Sequence, residues 1–461
     1  MTQFRALLGT AASAGDRRPL SSSFAASATI QALSVVTGVL LARALGPAGR
    51  GELAAAMLWP GLFALLGCLG VGEAITYHAA RATSDPGALV GSALALAAVQ
   101  ATVLVAGASV AVGRVLAGHG ADARAAAHAY LAYVPLVLLA TYLMSVLGGL
   151  RRYAAFQSLR VLVIALSALG MVALAATGAL TVRTAVLVYL GANLATALAA
   201  LALLQLWGLR LKVDGDLVRA LLSFGVRSHG GNVASMLNER LDQLVMSVFL
   251  SPASLGLYVV AVTMTSVTGM VGASVATVAL PSVASAGSVG QRGGQARRLV
   301  AVTLLASTAV TAPLIVALPL LVHLFFGGAY ASAVGPGRVL LVAAVAFSVG
   351  RVLGAVLRAL GRPLDAGLAE LLALVATMLG LGVLLPTLGL MGAAGTSLGA
   401  YLTSCCWMAG RAARALGVSP ARLLVPDREA LAVLPRIGAA LAGSSPGGAR
   451  GQGQAGGGAP R

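Results

Sequence analysis

Twelve stretches of this chain, each long, apolar and nearly free of charge, decide what it can fold into. They are residues 23–44, 53–78, 89–112, 127–149, 157–177, 184–207, 229–249, 256–281, 299–325, 337–358, 364–387 and 391–412. A run of about 20 mostly apolar residues crosses a bilayer as a helix. Hydrocarbon has no water for a free backbone N–H or C=O, so only helices and closed barrels are stable there. None of the runs alternates polar and apolar residues as a barrel strand does. Of the 461 residues, 59% are hydrophobic and 10% are charged, against about 25% charged in a soluble domain. The chain is expected to be an all-α polytopic membrane protein.

The net charge is +18, which in a soluble protein would point to nucleic acid. Here the basic residues sort by membrane face instead. The N-terminus, the even-numbered loops and the C-terminal tail hold 22 of the 31 Lys and Arg, the odd loops hold six (Arg43, Arg50, Arg114, Arg124, Arg183 and Arg338), and three lie inside spans. Cytoplasmic segments carry the excess of Lys and Arg, so both termini are expected in the cytoplasm, with no nucleic-acid partner. The three cysteines, Cys68, Cys405 and Cys406, sit inside apolar runs. That placement points to neither a disulfide framework nor a metal site.

One short turn is written twice. Leu45, Pro47, Ala48 and Gly51 in "LARALGPAGRGELAAAM" match Leu250, Pro252, Ala253 and Gly256 in "VFLSPASLGLYVVAV", 205 residues later. A second echo pairs Arg152 with Arg362 and Arg160 with Glu370, at an offset of 210. Six spans separate the copies. Six is even, so both halves enter the membrane in the same sense, as a parallel repeat about an axis along the membrane normal. The expected division is a cytoplasmic N-terminal segment 1–22, a six-helix bundle 23–207, a cytoplasmic linker 208–228, a second bundle 229–412 and a tail 413–461. The tail is Gly-rich and expected to be disordered from 443.

Residues 221–267, "LLSFGVRSHGGNVASMLNERLDQLVMSVFLSPASLGLYVVAVTMTSV", resemble the start of the second half in oligosaccharide flippases and polysaccharide-biosynthesis proteins. These belong to the multidrug/oligosaccharidyl-lipid/polysaccharide exporter superfamily. "LLARALGPAGRGELAAAML" with "LGVGEAI" is similar to the family's first two spans, and "LFFGGAYASAV" to its ninth-to-tenth loop. The resemblance covers 23–412. It implies two six-helix bundles around a central cavity and a function in moving lipid-linked sugars.

About seven charged residues fall well inside the spans, away from their ends: Glu73, Arg160, Glu239, Arg240, Asp242, Arg351 and Glu370. Each costs about 2.5–3.5 kcal/mol at the bilayer centre, some 20 kcal/mol together, unless it meets water or a partner. That sum argues for an aqueous chamber. In the seventh span Asn232, Ser235, Glu239 and Asp242 share one helical stripe. Ser27, Ser34 and Thr37 occupy the matching face of the first span, polar but uncharged. Two readings stay open: cavity-lining groups, or an internal Arg–carboxylate pair that fixes packing.

The leading expectation is a flippase for a polyprenyl-diphosphate-linked oligosaccharide. Arg240, Arg351, Asn232 and Arg160 would contact the headgroup, arginine being suited to bidentate phosphate binding. Asp242, Glu239, Glu370 and Glu73 are the candidates for coupling to a proton or sodium gradient, with no other cofactor. Its partners would be membrane lipid, the lipid-linked substrate, glycosyltransferases and a polysaccharide polymerase, and its place the plasma membrane. The alternative is a cation-coupled multidrug exporter of the same fold, for which an acid-dominated, aromatic-rich cavity is expected. An embedded enzyme fits least, because the loops are short and carry no cluster of His, Asp or Glu.

Overall fold

The computed structural model describes residues 17–81, 84–115, 120–205, 211–230 and 233–425. The expected disordered tail from 443 and Asn232 lie outside them. Among the described residues, nine helices are long and apolar enough to cross a membrane. Two of the nine are double. Arg17–Gly67 would be roughly 76 Å long if straight, more than twice the hydrocarbon thickness; it is interrupted at Gly46, whose φ of 66° only glycine adopts freely. Pro363–Leu416 is interrupted at Gly389, φ 54°. There the chain reverses, since a Cβ on Gly380 would meet Thr396. A broken seventh span, Val233–Asn238 and Leu241–Phe249, completes the twelve.

The other spans are Pro86–Val115, Ala121–Tyr130 with Tyr133–Gly149, Tyr153–Ala176, Val182–Gln205, Pro252–Ala284, Val289–Phe325 and Val334–Ala359. The second span breaks at 68–70, where Leu69 and Gly70 both have positive φ, and resumes as Val71–Arg81. A further helix, Gly215–Gly230, precedes the seventh span.

The two copies of the doubled turn touch each other. A Cβ on Gly51 would fall on the Pro252 carbonyl and against the Gly256 nitrogen; one on Gly256 would fall on the Pro47 carbonyl and against the Gly51 nitrogen. The contact is reciprocal, as an internal two-fold requires. With no side chain at either glycine, the two backbones cross at van der Waals distance, as small residues allow in membrane helices.

Apolar packing divides along the membrane normal. At the end that carries the crossing, two adjoining clusters draw buried residues from all twelve spans, among them Leu41, Leu53, Met171, Met246, Leu255 and Leu318. Polar ties reinforce this end. The Trp59 indole donates to Ser247 Oγ at 3.1 Å, the Tyr330 hydroxyl to the Ala42 carbonyl at 3.0 Å, and the Arg43 guanidinium to the carbonyls of Leu324 and Phe325. At the opposite end the clusters separate. One runs from Ala64 to Leu221, the other from Val275 to Leu423, and they share no residue. Two six-helix bundles thus meet at one end and part at the other, leaving a cleft between them.

Replacing Gly51 or Gly256 by leucine should destabilise the fold by about 1–3 kcal/mol, the usual cost of overpacking. Gly61 has open space around its Cα, so Gly61→Ala should be neutral. Thermal unfolding of the detergent-solubilised variants checks both. An unchanged midpoint for Gly51→Leu and Gly256→Leu would contradict the crossing.

Candidate functional site

The seventh span is where the fold differs most from a plain reading of its sequence. A continuous helix would put Ser235, Glu239 and Asp242 on one stripe. Instead the helix stops at Asn238 and restarts at Leu241, with Arg240 as a non-helical N-cap (φ −132°). The break sends neighbouring polar groups in different directions. Glu239 and Arg240 are exposed and, with Leu65, Ser235 and Met236, line a hollow of about 390 Å³ in the cleft. Asp242 turns into the second bundle and is only 6% exposed.

Burial of Asp242 is matched by donors. Its carboxylate accepts from the Tyr258 hydroxyl at 2.7 Å, the Gln243 backbone N–H at 2.7 Å and Ser397 Oγ at 3.5 Å. It also occupies the first turn of the restarted helix, where the helix dipole favours an anion. Tyr258 and Ser397 lie 3.2 Å apart, so the seventh, eighth and twelfth spans are tied at one carboxylate.

A second knot lies one residue before the break. Asn238 Nδ2 donates to Glu370 Oε2 at 3.2 Å and to the Glu370 carbonyl at 3.3 Å, while Thr377 Oγ1 donates to Asn238 Oδ1 at 3.4 Å. Glu370 is within electrostatic reach of Glu239, Arg351 and Arg358. Arg351 is exposed and lies over the Phe347 ring, 5.3 Å from its centroid; that ring packs 4.9 Å from Tyr401. Neither Arg240 nor Arg351 forms an ion pair among the described residues.

Of the residues singled out from sequence, Glu239, Arg240, Asp242, Arg351 and Glu370 therefore gather in the second bundle, on the seventh, tenth and eleventh spans. Arg160 and Glu73 stand apart. Arg160 donates to Gln157 Oε1 at 2.9 Å and lies 5.8 Å from the Phe156 centroid. Glu73 accepts from Ser228, holding the helix Gly215–Gly230 against the second span. In the first span Thr37 donates to its own Leu33 carbonyl at 2.8 Å, and Ser34 is exposed. Asn238, Tyr258, Thr377 and Ser397 were not picked out from sequence. A lone tyrosine amid "SLGLYVVAV" was the available signal for one of them.

Tyr258→Phe removes the shortest side-chain donor to a buried carboxylate. It should cost about 1.5–3 kcal/mol, the range for hydrogen bonds to charged groups, read as a lower thermal-unfolding midpoint. Phe347→Leu, at a partly exposed ring, should change it far less.

No curated protein sequence matches the chain. Among solved structures it is similar to a lipid II flippase, MurJ, in an inward closed conformation, with a TM-score of 0.73 at 12% identity over 92% of this chain and 98% of that one. It is also similar to an inward-facing multidrug resistance MATE family transporter of the MOP superfamily, with a TM-score of 0.66 at 16% identity over 84% and 96% of the two chains. A third similar structure is the multidrug transporter DinF-BH, with a TM-score of 0.59 at 16% identity over 90% and 98%. The chain shares the fold of these transporters, and its nine long apolar helices among the described residues make it a multi-pass membrane protein. The sequence profile of the polysaccharide biosynthesis proteins matches residues 40–335, more than half of the chain, and the protein belongs to that family.

Proposed function

We propose that this protein is a flippase for a polyprenyl-diphosphate-linked oligosaccharide, working by alternating access between bundles 23–207 and 229–412. The observation that carries the proposal is a pair of exposed guanidinium groups in the second bundle with no ion pair among the described residues: Arg240 at the break in the seventh span, and Arg351 within electrostatic reach of Glu370, which holds Asn238 before that break. An isolated cation at membrane depth is costly unless water or an anion meets it. A diphosphate offers such an anion, and arginine binds phosphate oxygens through two parallel N–H donors. The polyprenyl tail would stay in lipid while the sugar crosses through the cleft.

The excess of basic residues in the termini and even loops supports cytoplasmic termini in the plasma membrane. In that orientation the doubled turns close the outer face, and the cleft opens toward the cytoplasm, where lipid-linked sugars are loaded. Glycosyltransferases would supply the substrate and a polymerase would consume it. Glu239, Glu370 and Asp242 would couple the cycle to a proton or sodium gradient. Glu370 faces both another acid and two arginines, so its charge responds to whichever ion or headgroup is nearby. Asn232 and Arg160 remain candidate headgroup contacts, and Glu73 a further coupling candidate.

A multidrug exporter is the second reading. It is favoured by the Phe347–Tyr401 ring pair beside Glu370, which could hold an organic cation. In proteoliposomes, Arg240→Ala with Arg351→Ala should slow translocation of a polyprenyl-diphosphate sugar by at least about a hundredfold, as expected from two charge-assisted contacts of 1.5–3 kcal/mol each. An unchanged rate overturns the headgroup assignment. Export of a cationic dye that survives this double substitution and is lost in Glu370→Gln would support the exporter instead. Gradient dependence is read separately: Glu239→Gln with Glu370→Gln should leave a flipping rate that no longer responds to an imposed proton or sodium gradient.

A further inference from the structure

The helix Gly215–Gly230 has one edge that is packed and one that is not. Leu217, Leu221, Gly225 and His229, four residues apart, are buried on the first bundle. Gly225 lies against the backbone of Leu69 and Gly70 at the break in the second span, and Phe224 stacks on Tyr77 with centroids 4.6 Å apart. The opposite edge carries Arg219, Ser223 and Arg227, all exposed, one turn apart over roughly 12 Å. Beside this polar stripe runs an apolar one, Val218, Leu222 and Val226, each a single residue earlier. The two stripes line an open hollow of about 980 Å³.

The nearby charges leave the arginines available. Arg227 spends Nε on the Ser223 carbonyl at 2.9 Å, which steadies the side chain and leaves its terminal nitrogens free. Arg219 has no ion pair among the described residues. Asp214 turns its carboxylate to the backbone N–H groups of Asp216 and Leu217, at 2.9 and 3.2 Å. Glu73 is taken by Ser228 on the packed edge. Asp216 shares the exposed edge, one turn before Arg219, so the negative end of the stripe lies away from the cleft and the positive end toward it.

A ligand that fits two parallel stripes, one cationic and one aliphatic, is an amphiphile with a phosphate head and a long hydrocarbon chain. The helix also leads somewhere. Ten residues past Gly230 is Arg240, in the wall of the cleft. We infer that the Arg219–Ser223–Arg227 edge is the loading site for the polyprenyl diphosphate of the substrate, with the diphosphate on the guanidinium groups and the first isoprene units along Val218, Leu222 and Val226. The inference rests on the flippase reading above. Arg219, Arg227 and Arg240 then form a series of phosphate contacts running from the end of the helix at Gly215 into the cleft.

The test uses the full chain in nanodiscs of zwitterionic lipid, with a long-chain polyprenyl diphosphate as the probe. Arg219→Gln with Arg227→Gln should weaken its binding at least about tenfold, as losing charge-assisted phosphate contacts requires, with the thermal-unfolding midpoint unchanged. Binding of the uncharged polyprenyl alcohol should not change. If the double variant binds the diphosphate like the unaltered protein, the loading site is wrong and the flippase reading stands. If the unaltered protein does not bind the diphosphate at all, both fail. If the substitutions weaken phosphatidylglycerol binding as much as diphosphate binding, the edge is a general anionic-lipid surface and the proposal is overturned.

Discussion

The crossing of Gly51 and Gly256 is the contact from which the rest of the architecture follows. Neither position has room for a Cβ, so the two hairpins approach as bare backbone. Close approach there lets residues from all twelve spans share apolar packing at one end. Lipid tails are as apolar as leucine, so no hydrophobic force holds membrane helices together; tight van der Waals contact and polar ties must do it. The Arg43, Trp59 and Tyr330 hydrogen bonds lie at that same end. Because the joint is confined to one end, the other end is free to open, and the separate clusters on the two bundles show that it does.

An open end changes the cost of charge. A carboxylate or guanidinium facing hydrocarbon is expensive, whereas one facing a wet cleft or a set of donors is not. The seventh span uses both solutions within four residues. Its break leaves Glu239 and Arg240 at the cleft and delivers Asp242 to Tyr258, Ser397 and a helix N-terminus. An unbroken helix could not serve both, because residues three apart share a face. The interruption is therefore a requirement of placing three charges so close together at membrane depth.

The twelve spans, the parallel repeat and the family were legible in the sequence, because apolar length and a repeated Pro-x-x-x-Gly turn are local signals. Polar partners across space were not. Asn238 reads as an ordinary neighbour of Glu239 until the fold brings Glu370 and Thr377 to it. Periodicity assigned Glu239 and Asp242 to one stripe because it assumes an unbroken helix, and nothing in "ASMLNERLDQL" contains the glycine or proline that usually marks a kink. Arg160 and Glu370, paired by the repeat, ended in different roles. Arg160 keeps to Gln157 in its own helix, while Glu370 reaches across to the seventh span. A repeat preserves backbone placement, and side-chain partners diverge on top of it.

The proposed transport cycle depends on where the chain passes between the bundles. The helix Gly215–Gly230 is held to the first bundle as far as Ser228 and His229, and Asn238 is already held to the second. The segment between these anchors must absorb any change in their separation. The nearest interruption of helix beyond it is the Glu239–Arg240 break. A ligand bound at Arg240 would sit two residues past the Asn238 anchor, beside the segment that has to deform if the bundles rock, whereas one bound at Arg351 would ride on a helix packed inside a single bundle. A ligand shifts a conformational equilibrium only through differential contact with its states. For the proposed flippase, Arg240 is then the better placed of the two arginines to link substrate occupancy to movement, and Arg351 the better placed to hold substrate through it.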